Sequence, residues 1–147
     1  MSAAPRRATR GTAAVGIAQC VVLGVAALAI TAWAFVELTK QLALTTAPLL
    51  SEAMLFWSLV GSVAVLLLAG VAGAMLWRGR AVGFVVLAVA WLPAVPLGWT
   101  AVSSYLDLVA DEEMSRAVTV SLVAAGANLV LGLLRAPASS AHPPLAR

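Results

Sequence analysis

Four long stretches of this chain contain no Asp, Glu, Lys or Arg: Gly11 to Val36, Ala53 to Trp77, Ala81 to Leu106 and Ala117 to Leu134. Each reaches the roughly 18 residues expected of a helix that spans a bilayer. A charge at the bilayer centre costs about 2.5–3.5 kcal/mol on insertion scales, so four charge-free runs are the pattern of a chain whose solvent is lipid. None alternates with the two-residue period of a membrane β-barrel strand. A helix satisfies its backbone polar groups within itself. The pattern therefore predicts an all-α membrane bundle of four transmembrane helices.

Composition closes the alternatives. Of 147 residues, 63% are apolar and 10% charged, against about half and a quarter in an average soluble domain. So small a soluble fold has too little interior for that much apolar surface. Intrinsic disorder needs the opposite balance. The formal charge is +3, but the bases are few and sit at span ends, so nucleic acid is not expected as a partner.

The fourth run is short unless its start moves back. Asp111 is a good N-cap, and Glu112 and Glu113 then occupy the first turn, where the positive end of the helix favours them. A helix over 112–134 covers about 34 Å at 1.5 Å per residue, enough for a hydrocarbon core of about 30 Å. The second span starts similarly, with Ser51 as cap and Glu52 in the first turn. The spans are then about 12–37, 52–77, 81–102 and 112–134. Together they make one membrane domain over 11–135, between an N-terminal tail (1–10) and a C-terminal tail (136–147). Both tails are rich in Ala, Pro, Ser and Arg and are expected to be unstructured. The first apolar run is far longer than the 7–15 residues of a secretory h-region, so it is expected to stay as a span despite a cleavage-like Ala27-Leu28-Ala29.

Charge placement gives an orientation. Arg6, Arg7, Arg10, Arg78, Arg80, Arg135 and Arg147 fall on one face without an acid. Glu37, Glu52, Asp107, Asp111, Glu112 and Glu113 fall on the other with Lys40 and Arg116. The positive-inside rule predicts both termini in the cytoplasm, as expected of a bacterial plasma-membrane protein. Trp33, Trp57, Trp77 and Trp99 lie near span ends, where amphipathic rings prefer to sit. Trp91 is mid-span and reads as a packing residue. The short Arg78-Gly79-Arg80 connection makes the second and third spans antiparallel neighbours. The loop after the third span, where Tyr105, Leu106, Leu108 and Val109 interleave with acids, reads equally as an interfacial helix or an acidic solvated loop.

Few residues could carry chemistry. His142 is the single histidine and Cys20 the single cysteine, so no metal site, haem or disulfide is expected, and no cofactor. No histidine base lies near a membrane Ser, Thr or Cys, so no catalytic residue is predicted and the chain reads as a non-enzyme. The candidates for a substrate site are Gln19, Asn128 and Glu37. Gln19 lies nine positions beyond Arg10 and Asn128 seven before Arg135, so both sit roughly 10–14 Å from the arginine face. They are expected to meet across the first and fourth helices. Glu37 reads as an interfacial carboxylate beside Thr39 and Lys40. Pro93 and Pro96 remove amide donors from the third span and free or strain carbonyls near Val89 and Leu92; a kink is expected there. Small residues recur every fourth position: Thr12, Gly16, Cys20 and Gly24; Ser58, Ser62, Gly70 and Ala74, interrupted by Leu66; Ala124, Asn128 and Gly132. They predict close helix contact, within the bundle or in a homo-oligomer.

The stretch LWRGRAVGFVVLAVAWLPAVPLGW from Leu76 to Trp99, followed by Leu134-Arg135-Ala136-Pro137, resembles small uncharacterised four-helix integral membrane proteins of GC-rich bacteria. Arg78, Gly79 and Arg80 match their basic turn, and Leu92 and Pro93 their Leu-Pro third span. The resemblance implies a four-span plasma-membrane protein and no activity. The chain lacks the paired cysteines of quinone-linked disulfide oxidases and the embedded first-helix glutamate of small multidrug exporters. The function expected is a non-enzymatic accessory or structural membrane component, in contact with lipid and with a membrane-protein partner or a second copy. The alternative is a small carrier or permease with a polar site near Gln19, Asn128 and the Pro93/Pro96 kink.

Overall fold

The computed structural model describes residues 4–43, 52–106 and 111–135. They form four helices: α1 (Ala4–Ala43), α2 (Glu52–Trp77), α3 (Val82–Leu106) and α4 (Asp111–Arg135). No strand occurs among the described residues. Each helix contains a stretch long and apolar enough to cross a membrane: Gly11–Ala43, Ala53–Trp77, Val82–Ser103 and Met114–Arg135. The chain is thus a multi-pass membrane protein built as an all-α bundle.

Three boundaries differ from the sequence reading. α1 begins at Ala4 rather than Gly11, so most of the expected N-terminal tail is helical. Ala and Arg are good helix formers, and Pro5 is tolerated in a first turn because its missing amide had no partner to lose. At its other end α1 runs past Glu37 to Ala43. Charges mark where a span leaves lipid, not where its helix stops. α3 continues through Tyr105 and Leu106; residues 107–110, like Ser51 and the C-terminal tail with His142, lie outside the described residues.

The bundle is packed the opposite way from a soluble one. Large apolar side chains face outward: Val22, Leu28, Phe35, Trp57, Leu67, Leu122 and Leu134 are all exposed, and Trp77 is 81% exposed. Small and polar residues face inward beside a few large ones: Ala27, Ala34, Ala69, Ala72, Ala90, Ser58, Ser62, Ser121 and Asn128, with Leu55, Leu76, Phe84 and Leu87. Only 22–28% of the most apolar part of each span is covered by the chain itself. In lipid, greasy outward residues cost nothing, and small inward ones let backbones approach until van der Waals contact holds them.

The loop between α2 and α3 is set by its glycine. Gly79 has φ +77°, a left-handed conformation that costs an L-residue roughly 1–2 kcal/mol. Arg80 N–H donates to Met75 O at 2.9 Å and Gly79 N–H to Leu76 O at 3.0 Å. These two bonds make a Schellman cap, which satisfies the last carbonyls of α2 and reverses the chain. α3 then returns against α2, and α1 and α3 each touch all three other helices. α4 packs mainly on α3 and reaches α1 only narrowly.

The end of the bundle near this turn is closely packed. The Phe84 ring is fully enclosed. A Cβ on Gly16 of α1 would stand 2.9 Å from that ring and 2.7 Å from Leu76 Cδ1. A Cβ on Gly83 would stand 2.7 Å from Leu76 Cγ and 3.0 Å from the carbonyl of Ala72. The small-residue row of α1 therefore faces its own chain. Gly73 lies against Cys20, Gly24 reaches toward Leu66, and Thr31 bonds Ser62 across α1 and α2 at 2.8 Å.

Candidate functional site

The deepest polar side chains converge, as their depths predict. Gln19 of α1 accepts two hydrogen bonds at its single Oε1. Asn128 Nδ2 of α4 donates one at 2.9 Å, and Trp91 Nε1 of α3 donates the other at 3.0 Å. Asn128 Nδ2 also donates to Ala124 O, one turn back on its own helix, at 2.9 Å. Gln19 and Asn128 meet because each lies two to three turns in from the same basic face, on helices that run in opposite directions. One amide oxygen thereby ties together α1, α3 and α4.

The sequence reading of Trp91 as a packing residue requires an addition: its ring packs against the core, and its N–H is the third member of the junction. The signal was present. An indole buried in lipid needs a partner for its N–H, and Trp91 lies eleven positions beyond Arg80, at about the same depth as Gln19.

One atom of the junction is unsatisfied. Asn128 is 2% exposed, and its Oδ1 accepts no hydrogen bond. No ionisable side chain takes part in the junction. Cys20, one position from Gln19, is buried beside Gly73. Among the described residues, no group of three His, Cys, Asp or Glu could hold a metal ion.

Pro96 explains a second polar contact. Its missing amide deprives Leu92 O of the usual partner four residues on. Ser121 of α4, 2% exposed, donates to that carbonyl at 3.2 Å. Its hydroxyl also lies 3.3 Å from Val118 O on its own helix. Ser121 was not singled out in the sequence. The pointer to it was the proline, which creates an acceptor that a neighbouring helix must meet. α3 runs unbroken through both prolines from Val82 to Leu106.

Glu37 stands apart from the junction, on the last part of α1. Its Oε1 receives a hydrogen bond and ion pair from Lys40 Nζ at 2.8 Å, with both side chains partly exposed. The pair is local to α1 and does not join Gln19 and Asn128.

A separate cleft of about 570 Å³ opens between α3 and α4 at the end opposite the arginine turn. Its walls are almost wholly apolar side chains, and Arg116 is the charged residue among those lining it. No family model, curated protein or solved structure matches the chain.

Proposed function

We propose that the chain is a non-enzymatic accessory or structural component of a bacterial plasma membrane, with the arginine turn and both termini in the cytoplasm. One observation carries the reading: Asn128 Oδ1 apart, the buried polar groups at the depth where a carrier would hold its solute are engaged with one another. Gln19 Oε1 takes two donors, and Asn128 lies enclosed within the bundle. A junction of this kind fixes three helices in one arrangement and leaves the outer surface to meet lipid or another membrane protein. The asymmetric distribution of arginine supports the orientation.

A small carrier or permease is the second reading, favoured by the unpartnered Asn128 Oδ1, an acceptor that a donor solute could meet. Water access separates the two. Ala124→Cys, one turn from Asn128, in a Cys20→Ala background, is exposed to a membrane-impermeant maleimide from each side. The accessory reading expects no labelling in intact membranes and full labelling in denaturant. Labelling from either aqueous side means an open route to the junction and favours the carrier. Purification in mild detergent should recover the chain with a partner or a second copy; recovery as a lone monomer counts against the accessory role. A reporter fused after Arg147 should behave as cytoplasmic.

A further inference from the structure

The cleft between α3 and α4 has the build of a lipid seat. It is lined by Val95, Trp99 and Val102 on α3 and by Ala117 and Val120 on α4, with Arg116 exposed on its rim. Its volume of about 570 Å³ lies within the ~300–1,000 Å³ of sites that hold small molecules. At Gly98 a Cβ would meet nothing within 4 Å, so the cleft reaches the bare backbone of α3.

Depth fixes what can enter. Arg116 precedes Arg135 by nineteen positions on α4, about 29 Å along the helix. That matches a hydrocarbon core of about 30 Å. With Arg135 at one boundary, Arg116 stands at the other, level with headgroups, while the apolar walls face the acyl region below it. A guanidinium at that level matches a phosphate, to which it can donate two parallel hydrogen bonds. Among the residues whose side chains are described, Arg116 forms no ion pair. We infer that this cleft binds one acidic phospholipid of the surrounding bilayer, its phosphate on Arg116 and one acyl chain along Val95, Val102 and Val120.

The rival for Arg116 is its own helix. Glu112 and Glu113 precede it by four and three positions, the spacing of paired charges on a helix face. Neutralisation by them would show as equal binding of acidic and zwitterionic lipid.

The test is native mass spectrometry of the full chain in mild detergent, offered equimolar dioleoyl phosphatidylglycerol and dioleoyl phosphatidylcholine. The first phosphatidylglycerol is expected to bind about tenfold more tightly, as a charge-assisted contact allows. Arg116→Gln should abolish that preference. Gly98→Val, which fills the cleft and leaves the charge in place, should lower first-site binding of both lipids. Arg78→Gln/Arg80→Gln, at the opposite end, should leave the preference intact. Equal binding of the two lipids overturns the proposal, as does a preference that survives Arg116→Gln or vanishes only in the Arg78/Arg80 variant. Should Arg116→Gln fail to fold, Gly98→Val decides: unchanged lipid binding in it overturns the proposal.

Discussion

Gln19 is the acceptor on which the three-helix junction depends, and the loss on removing it can be worked out group by group. Gln19→Leu strands the Trp91 N–H, which has no other partner in the junction, whereas Asn128 Nδ2 keeps its bond to Ala124 O. An unpartnered buried donor costs about 1–3 kcal/mol. The bond to Asn128 adds the average interhelical value of about 0.6 kcal/mol. Gln19→Leu should therefore destabilise the bundle by about 2 kcal/mol. Asn128→Leu loses the bond to Gln19 and also removes the unsatisfied Oδ1. The two effects oppose each other, so its cost should stay below about 1 kcal/mol. Unfolding in mixed micelles with increasing dodecyl sulfate, followed by far-ultraviolet circular dichroism, reads both variants and their double mutant. The cycle should show a coupling of about 0.6 kcal/mol between positions 19 and 128, and a larger one between 19 and 91 with Trp91→Phe. Equal costs for Gln19→Leu and Asn128→Leu, with strict additivity in both cycles, would refute the shared-acceptor geometry.

Three further outcomes are expected. Ser121→Ala should cost about 1–2 kcal/mol by leaving Leu92 O without a donor; in a Pro96→Ala background, where residue 96 regains its amide, that cost should shrink to a few tenths, and a full cost there would show that the proline is irrelevant. Gly79→Ala should lower stability by about 1–2 kcal/mol through its positive φ alone, measured by the same titration, whereas an unchanged midpoint would mean that the turn relaxes freely. Gly83→Ala places a methyl against Leu76 and the Ala72 carbonyl and should cost about 1–3 kcal/mol by overpacking α2 against α3; Gly126→Ala, whose Cβ meets nothing within 4 Å, should be tolerated and serves as its control.

How far the sequence could be read depended on which physical rule applied. The four spans follow from the cost of charge in lipid, a rule strong enough to place them within a few residues. The Gln19–Asn128 contact follows from the fixed rise of a helix, which converts sequence distance from a charged boundary into depth. The same conversion places Trp91 there, but an indole looks apolar to a hydropathy count and its N–H is easily overlooked. Ser121 was hidden for another reason: its acceptor exists only because Pro96 lacks a donor, and nothing in the fourth span marks it. The helix ends of α1 were not legible because Arg10 and Glu37 mark the limits of a charge-free run, and a charge does not stop a helix, which here continues from Ala4 to Ala43. Which helices share a face is not encoded in any single span. That α4 leans on α3 and barely meets α1 depends on matching surfaces, such as Gly132 against Phe84.

The inward-facing Ala, Ser and Gly residues have a thermal consequence. When these helices part within a bilayer, the surfaces they uncover are wetted by acyl chains, and little structured water is created. The heat-capacity increment that bends the stability curve of a water-soluble domain arises from hydrating newly bared apolar groups. Separation of these helices should carry only a small increment, so their association should weaken almost linearly on warming and show no cold-induced dissociation near freezing.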